Sequence, residues 1–265
     1  MGTKYRMTDE IIKMNGHTLH RIEALIDISS ANVKAGDRGG FIESEENLSQ
    51  EGDCWVGDDG QVSGDAQVSG NAIVSDSAKV SGLAWVTDNA IVFDNAIVFG
   101  DAQVFGNARV FGDAQVSGDA QVYDRAKVSW HACICDNAIV SGSAKVSGKA
   151  KVSGLAWVTD NAIVSGNAQV FDNAQVFGDA HVFGGARVSG SAKVSGHAYI
   201  CDNAIVSGNA VVFEFAWVYD RAQVFGDAQV SDNARVSGNA RVSGNAKVNG
   251  KAWVSGTTKL SGESA

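Results

Sequence analysis

From Val56 onward an aliphatic side chain recurs at every sixth position, through Val62, Val68 and Val74 to Val254 and Leu260, without interruption. Of these 35 positions only Ile134, Ile200 and Leu260 are not valine. Four residues after them alanine keeps the same period, in 32 consecutive places from Ala66 to Ala252. The hexad runs Val, Ser or Phe, Gly or Asp, Asn or Asp, Ala, and then a variable residue. In an extended backbone side chains alternate sides, so Ala and the next Val share one face and the variable residue between them points away. Gly and Asp accept the positive φ that a sharp corner needs, which makes the Ser-Gly or Ser-Asp pair turn chemistry. Each hexad therefore predicts one short strand and one corner. Helical apolar spacing of three and four is absent, and the frequent Gly opposes a helix as well.

A fixed short period is the signature of a solenoid. Three strands and three corners predict a triangular coil of 18 residues, each coil stacked on the next by parallel hydrogen bonding. The core is expected to be columns of Val and Ala, with Ala where a larger side chain would overpack a narrow centre. The expected fold is all-β: a hexapeptide-repeat β-helix over residues 55–265 behind an N-terminal cap over residues 1–54. Within the cap, Tyr5, Ile11, Ile12 and Met14 precede Asn15-Gly16, the strongest short hairpin turn, and Leu19, Ile22, Leu25 and Ile26 follow it. Lys4 to Ile28 thus reads as a β-hairpin. Ser29 to Asp53 reads as irregular, with Gly36, Gly39 and Gly40 marking turns and Phe41, Ile42 and Leu48 as apolar anchors. A solenoid end exposes unpaired backbone, which such a cap covers.

The hexad Val-Ser-Gly-Asp-Ala-Gln resembles the repeat of left-handed parallel β-helix proteins, best known as trimeric acyltransferases. In the cap, Lys4-Tyr5-Arg6, Val33-Lys34-Ala35-Gly36, Gly39-Gly40, Asn47-Leu48-Ser49-Gln50 and Gly52-Asp53-Cys54-Trp55 resemble the opening of YdcK-like hexapeptide-repeat proteins of bacteria. The resemblance implies left-handed coiling, which the spacing alone does not give; a right-handed triangular helix like that of the bactofilins is the runner-up. It also brings in an acyltransferase as an alternative function, one that uses a histidine general base and substrate-holding loops. The corner differs from that family's, with Ser or Phe at the second position.

The net charge of −9 comes from 21 basic and 30 acidic residues that interleave along the repeat. There is no basic stripe, so nucleic acid is not an expected partner. Neither a signal peptide nor an apolar run long enough to span a membrane is read in the chain, and a cytoplasmic location is expected. The chain contains no proline, as suits backbone whose N–H groups must join a ladder. Of the four cysteines Cys54 takes an inward slot, Cys133 an outward one, and Cys135 and Cys201 corner slots. Free thiols are expected, and the Cys133/Cys135 pair is a weak zinc signal.

The repeat runs from Val56 to Leu260 without an insertion, leaving no loop to carry a catalytic site. The repeat histidines His131, His181 and His197 do not converge under an 18-residue wrap. No catalytic, cofactor or metal residue is assigned. Leu83 to Val92 recurs from Leu155, four coils on, but Cys135 to Gly142 recurs from Cys201, a shift of whole hexads that changes face. Such shuffling preserves folding and scrambles a site. Aromatic residues replace the corner Ser in groups: Phe93, Phe99, Phe105 and Phe111; Phe171, Phe177 and Phe183; Phe213, Tyr219 and Phe225. They are expected either to stack axially at corners or to adhere to another rod. The expected function is a non-enzymatic structural or assembly scaffold, a rigid β-solenoid rod. A surface-binding solenoid for carbohydrate or ice is the remaining alternative. Wrapping places Trp55, Ile73, Ile91, Ile163, Tyr199, Trp217 and Trp253 on one outward face. That face, or a C-terminal end marked by Val254 and Leu260, is expected to join a homo-oligomer, a dimer being favoured.

Overall fold

The computed structural model describes residues 3–14 and 16–262. The chain forms two compact units, Met1–His131 and Ala132–Ala265.

The first unit opens with β1 (Tyr5–Met14) and β2 (His17–Ala24), antiparallel from Tyr5 opposite Ala24 to Met14 opposite His17. This is the expected hairpin; Asn15 of its turn lies outside the described residues. Tyr5, Leu19 and Ile22 face inward, whereas Ile11, Leu25 and Ile26 are exposed and contribute nothing to the core. The next stretch is more ordered than the sequence suggested. A third strand, β3 (Arg38–Ile42), pairs antiparallel with β2 and parallel with Gln61–Val62, so it joins the hairpin to the solenoid. Gly39 and Gly40 lie within this strand and mark close approach, not turns. A Cβ on Gly39 would meet the Trp55 ring at 2.5 Å, and one on Gly40 would run into the Gly60 carbonyl. Gly36, with φ of +93°, is the turn glycine.

Ile42 lies opposite Val62, and Leu48 bridges Val68 in parallel, so an incomplete coil precedes the regular ones. Both offsets are two residues longer than the regular one, which begins with Trp55 opposite Ile73. Asn47, fully buried, satisfies the backbone of this first coil. Its Nδ2 donates to the carbonyls of Gly64 (2.8 Å) and Ala66 (2.9 Å), and its Oδ1 accepts from the N–H of Ser44 (2.8 Å) and Glu43 (3.0 Å).

Thereafter every hexad supplies one rung, two residues long except at Arg241–Gly244 and Lys259–Gly262. In the first unit β3 is followed on its sheet by Gln61–Val62, Lys79–Val80, Ile97–Val98 and Gln115–Val116. A second ladder runs from Trp55–Val56 to Lys127–Val128 and a third from Gln67–Val68 to Gln121–Val122. The second unit repeats the arrangement from Cys133–Ile134, Ile139–Val140 and Lys145–Val146. Each is a parallel β-solenoid unit with an 18-residue repeat, as expected. The aliphatic column is sealed: Val62 to Val242 and Ala66 to Ala240 are at most 1% exposed. At many corners the Ala N–H donates to the carbonyl three residues back, as Ala162 does to Thr159 at 3.2 Å.

The corners explain why Gly and Asp alternate. Both adopt positive φ, for example +69° at Gly166 and +59° at Asp160. Asp adds a carboxylate that reaches the next coil: Asp136 accepts from the N–H of Gly154 and Asp172 from that of Gly190, both at 3.0 Å. Glu214 does the same for Asp232 at 2.9 Å. Charge-assisted acceptors thus serve corner N–H groups that have no strand partner.

Candidate assembly surface

The outward slot of each rung is the variable one, and there the two units differ in what they offer. In the first unit Trp55, Ile73, Ile91, Arg109 and Lys127 lie in consecutive register. Trp55 is only 3% exposed because the cap strand covers it at Gly39. It is therefore removed from the expected interface: a ring already buried by its own cap has no surface left for a partner. Ile73 and Ile91 remain half-buried on the ladder.

In the second unit the corresponding ladder holds Ile163, His181, Tyr199, Trp217, Arg235 and Trp253 in register. Here the side chains stack. His181 lies 4.8 Å from Tyr199, and Tyr199 packs on Trp217 with centroids 4.5 Å apart and planes 22° from parallel. Phe183 meets Tyr199 edge-on at 6.5 Å, and the Arg235 guanidinium sits 5.9 Å from the Trp217 ring. Trp253, 66% exposed, is steadied by its Nε1 donating to Ser237 Oγ at 3.0 Å. Val254 behind it is buried, and Leu260 is exposed. A shallow hollow of about 350 Å³ beside the ladder is lined by Cys201, Asp202, Trp217, Tyr219 and Arg235.

The corner aromatics stack along the coil axis, one of the two expected arrangements. Phe93 lies on Phe111 at 5.0 Å and 7°, and Phe105 on Tyr123 at 4.8 Å and 8°. Arginines from the following coil also lie over corner rings: Arg109 over Phe93, Arg187 over Phe171 and Arg241 over Phe225, each 5.2–5.3 Å from the centroid. These rings therefore have partners within the unit that carries them, whereas Phe99 is exposed.

Exposed apolar side chains also come in doublets, of which only Trp217 belongs to the expected face: Leu83 with Trp85, Leu155 with Trp157, and Phe215 with Trp217. Each is a large residue in the corner slot before Ala, followed by Trp in the outward slot. The repeated Leu-Ala-Trp sequence was the available signal. Trp130 is the most exposed of all at 67% and occupies a corner slot with φ of +60°, where Gly or Asp is the rule.

The histidines sit in separate surroundings. His131 Nδ1 lies 3.3 Å from Asp113, and His197 Nδ1 lies 3.7 Å from Asp179 and stacks on Phe215. In both pairs the partner is the same corner slot one coil earlier, and both partners are half-exposed. His181 belongs to the aromatic ladder. All four cysteines are free thiols. Burial, reinforced by Asp202, pushes the Cys201 thiol up to about 12; burial, then Cys133, pushes Cys135 up to about 11. Among the described residues no group of three or more His, Cys, Asp or Glu is placed to hold a metal ion, and no helix is long and apolar enough to cross a membrane.

Sealed Val/Ala columns, parallel two-residue rungs and positive-φ corners define a parallel β-solenoid repeat protein. Residues 66–82, 102–119, 132–148, 198–214, 228–242 and 240–256 match the family model of the YdcK beta solenoid repeat. No curated protein matches the chain.

Proposed function

We propose that this protein is a non-enzymatic structural or assembly scaffold of the bacterial cytoplasm, joined to a second copy of itself through the Tyr199–Trp217–Trp253 ladder. The observation that carries the reading is the exposure of Trp217 and Trp253, 38% and 66%, on a ladder held rigid by ring stacking and parallel pairing. Pre-ordered aromatic side chains lose little entropy on association, and aromatics with Arg are enriched at interfaces. A reducing compartment suits four unpaired cysteines.

The carbohydrate alternative is weaker on geometric grounds. Tyr199 and Trp217, stacked face to face, present their edges outward, and Arg235 lies against the Trp217 ring, so this pair lacks the open faces on which a sugar stacks. An acyltransferase reading has one supporting feature, the His131–Asp113 and His197–Asp179 pairs, since a carboxylate orients a histidine base. Light scattering of the full chain is the test. The wild type is expected to be dimeric, and Tyr199→Ser, Trp217→Ser and Trp253→Ser together to yield a folded monomer. A wild type that stays monomeric at high concentration overturns the proposal. Acyl transfer abolished by His131→Gln, His181→Gln and His197→Gln together would replace it with the enzymatic one.

A further inference from the structure

The cap contains a buried lysine with no carboxylate among its close partners. Lys4 is 2% exposed, and its Nζ reaches the carbonyls of Cys54 (2.9 Å), Gly52 (3.3 Å) and Glu51 (3.5 Å). Its remaining neighbour is the Cys54 thiol, with Nζ and Sγ 3.0 Å apart and Cys54 fully buried. The thiol has the carbonyls of Ser49 (3.5 Å) and Glu51 (3.7 Å) as acceptors for its hydrogen, which leaves a sulfur lone pair for the lysine. Burying an amine against neutral partners is costly, and a hydrophobic side chain would fill the same inward slot at lower cost. A surface hollow of about 780 Å³ lined by Lys4, Gln50, Glu51 and Gly52 lies beside the pair.

We propose that Lys4 and Cys54 form a covalent modification site, in which oxidation by a peroxide places one oxygen atom between Nζ and Sγ. A first peroxide converts the Cys54 thiol to its sulfenic acid and water, taking two electrons from sulfur. Lys4, as the free amine, and a second peroxide then give the N–O–S bridge and two waters. The sulfenic oxygen remains as the bridge, its hydrogen and one amine hydrogen leave in the water, and nitrogen supplies the last two electrons. The 3.0 Å separation suits this product: an inserted oxygen requires only a small shift, whereas a direct N–S bond would require the two atoms to close well over an ångström. The bridge ties the residue that precedes β1 to the segment that opens the first regular coil. Closing so long a loop restricts the unfolded chain, so the bridge latches the cap.

Mass spectrometry of the full chain treated with hydrogen peroxide tests this. The expected product is heavier by about 14 Da, joins Lys4 to Cys54 in a linked peptide, and reverts with a thiol reductant. Its urea midpoint rises relative to the reduced protein and falls back on reduction. Lys4→Arg and Cys54→Ser abolish the linked peptide; the wild-type peptide map decides the matter even where a variant folds poorly. Peroxide uptake on Cys54 in steps of about 16 Da with Lys4 unlinked, or a loss of about 2 Da from a direct N–S bond, overturns the oxygen bridge. A bridge that leaves the midpoint unmoved overturns the latch.

Discussion

Asp160 Oδ2 accepts the backbone N–H of Gly178 at 2.9 Å, joining a corner of one coil to the same corner of the next. The residue must satisfy two conditions at once, a φ of +59° and an acceptor at the right reach. The two can be separated by substitution. Asp160→Asn keeps tolerance of positive φ and an acceptor oxygen and should be near neutral. Asp160→Gly loses the acceptor alone, costing about 1 kcal/mol for an exposed hydrogen bond. Asp160→Ala adds the left-handed penalty, for a total of about 2 kcal/mol. Urea unfolding gives the order; an alanine variant as stable as the glycine one would show that backbone conformation is irrelevant at this corner.

The hexad, not the coil, is the unit that the core recognises, since Val and Ala occupy equivalent slots on all three sheets of the second unit. Removing Ser141 to Val146 deletes one hexad and passes the following rungs to the next sheet with every inward residue still inward. Removing Ser141 to Val158 deletes a whole coil. Both variants should unfold cooperatively with unchanged circular dichroism per residue, because stability builds from neighbour to neighbour. Removing only Ser141 to Ala144 should unfold the region, since it puts Gly and Ala in the inward slots and moves Val out to the corner. A folded four-residue deletion would contradict the pattern.

The fold was legible because the repeat states it redundantly: each Val–Ala pair says which face is inward, and the corner residues say where the strand ends. The cap was legible only in part. Its hairpin follows from alternation around Gly16, but β3 was hidden because Gly39-Gly40 reads as a turn when considered locally. Only the Trp55 ring and the Gly60 carbonyl, brought near by folding, reveal why those glycines lack side chains. Ile42 and Leu48, six apart, were the overlooked trace of the first coil. Candidate interface residues were read from wrapping alone, which counts faces but not what covers them. That is how buried Trp55 was included and exposed Leu155 and Trp130 were omitted.

The cap carries a pH dependence at Glu43. His17 Nδ1 lies 2.8 Å from its carboxylate, and the N–H of Gly64 donates to Oε2 at 2.7 Å. These partners, His17 first, hold the Glu43 carboxyl below its ordinary value of 4.5. A folded value lower than the unfolded one means that the stabilisation is complete above 4.5 and disappears as the pH falls through the depressed folded value. Wild type should therefore exceed Glu43→Gln in stability at neutral pH, and the gap should close on acidification. Chemical denaturation of both proteins across that range checks this; a gap independent of pH would remove the carboxylate from the explanation.

Trp130 breaks the corner rule and should reveal whether that slot serves stability or contact. An indole at φ of +60° carries a backbone strain of roughly 1 kcal/mol that Gly or Asp would avoid, and at 67% exposure its ring recovers little through packing. Trp130→Gly is therefore expected to raise the unfolding midpoint, an unusual direction for loss of a large aromatic residue. Strained and exposed residues concentrate where a partner is met. The same variant is accordingly expected to lower self-association, which sedimentation of the stabilised protein would register as weaker dimerisation. If Trp130→Gly destabilises the protein instead, the ring is packing in a way its exposure does not suggest. If stability rises with self-association unchanged, the strain at this corner has no bearing on assembly.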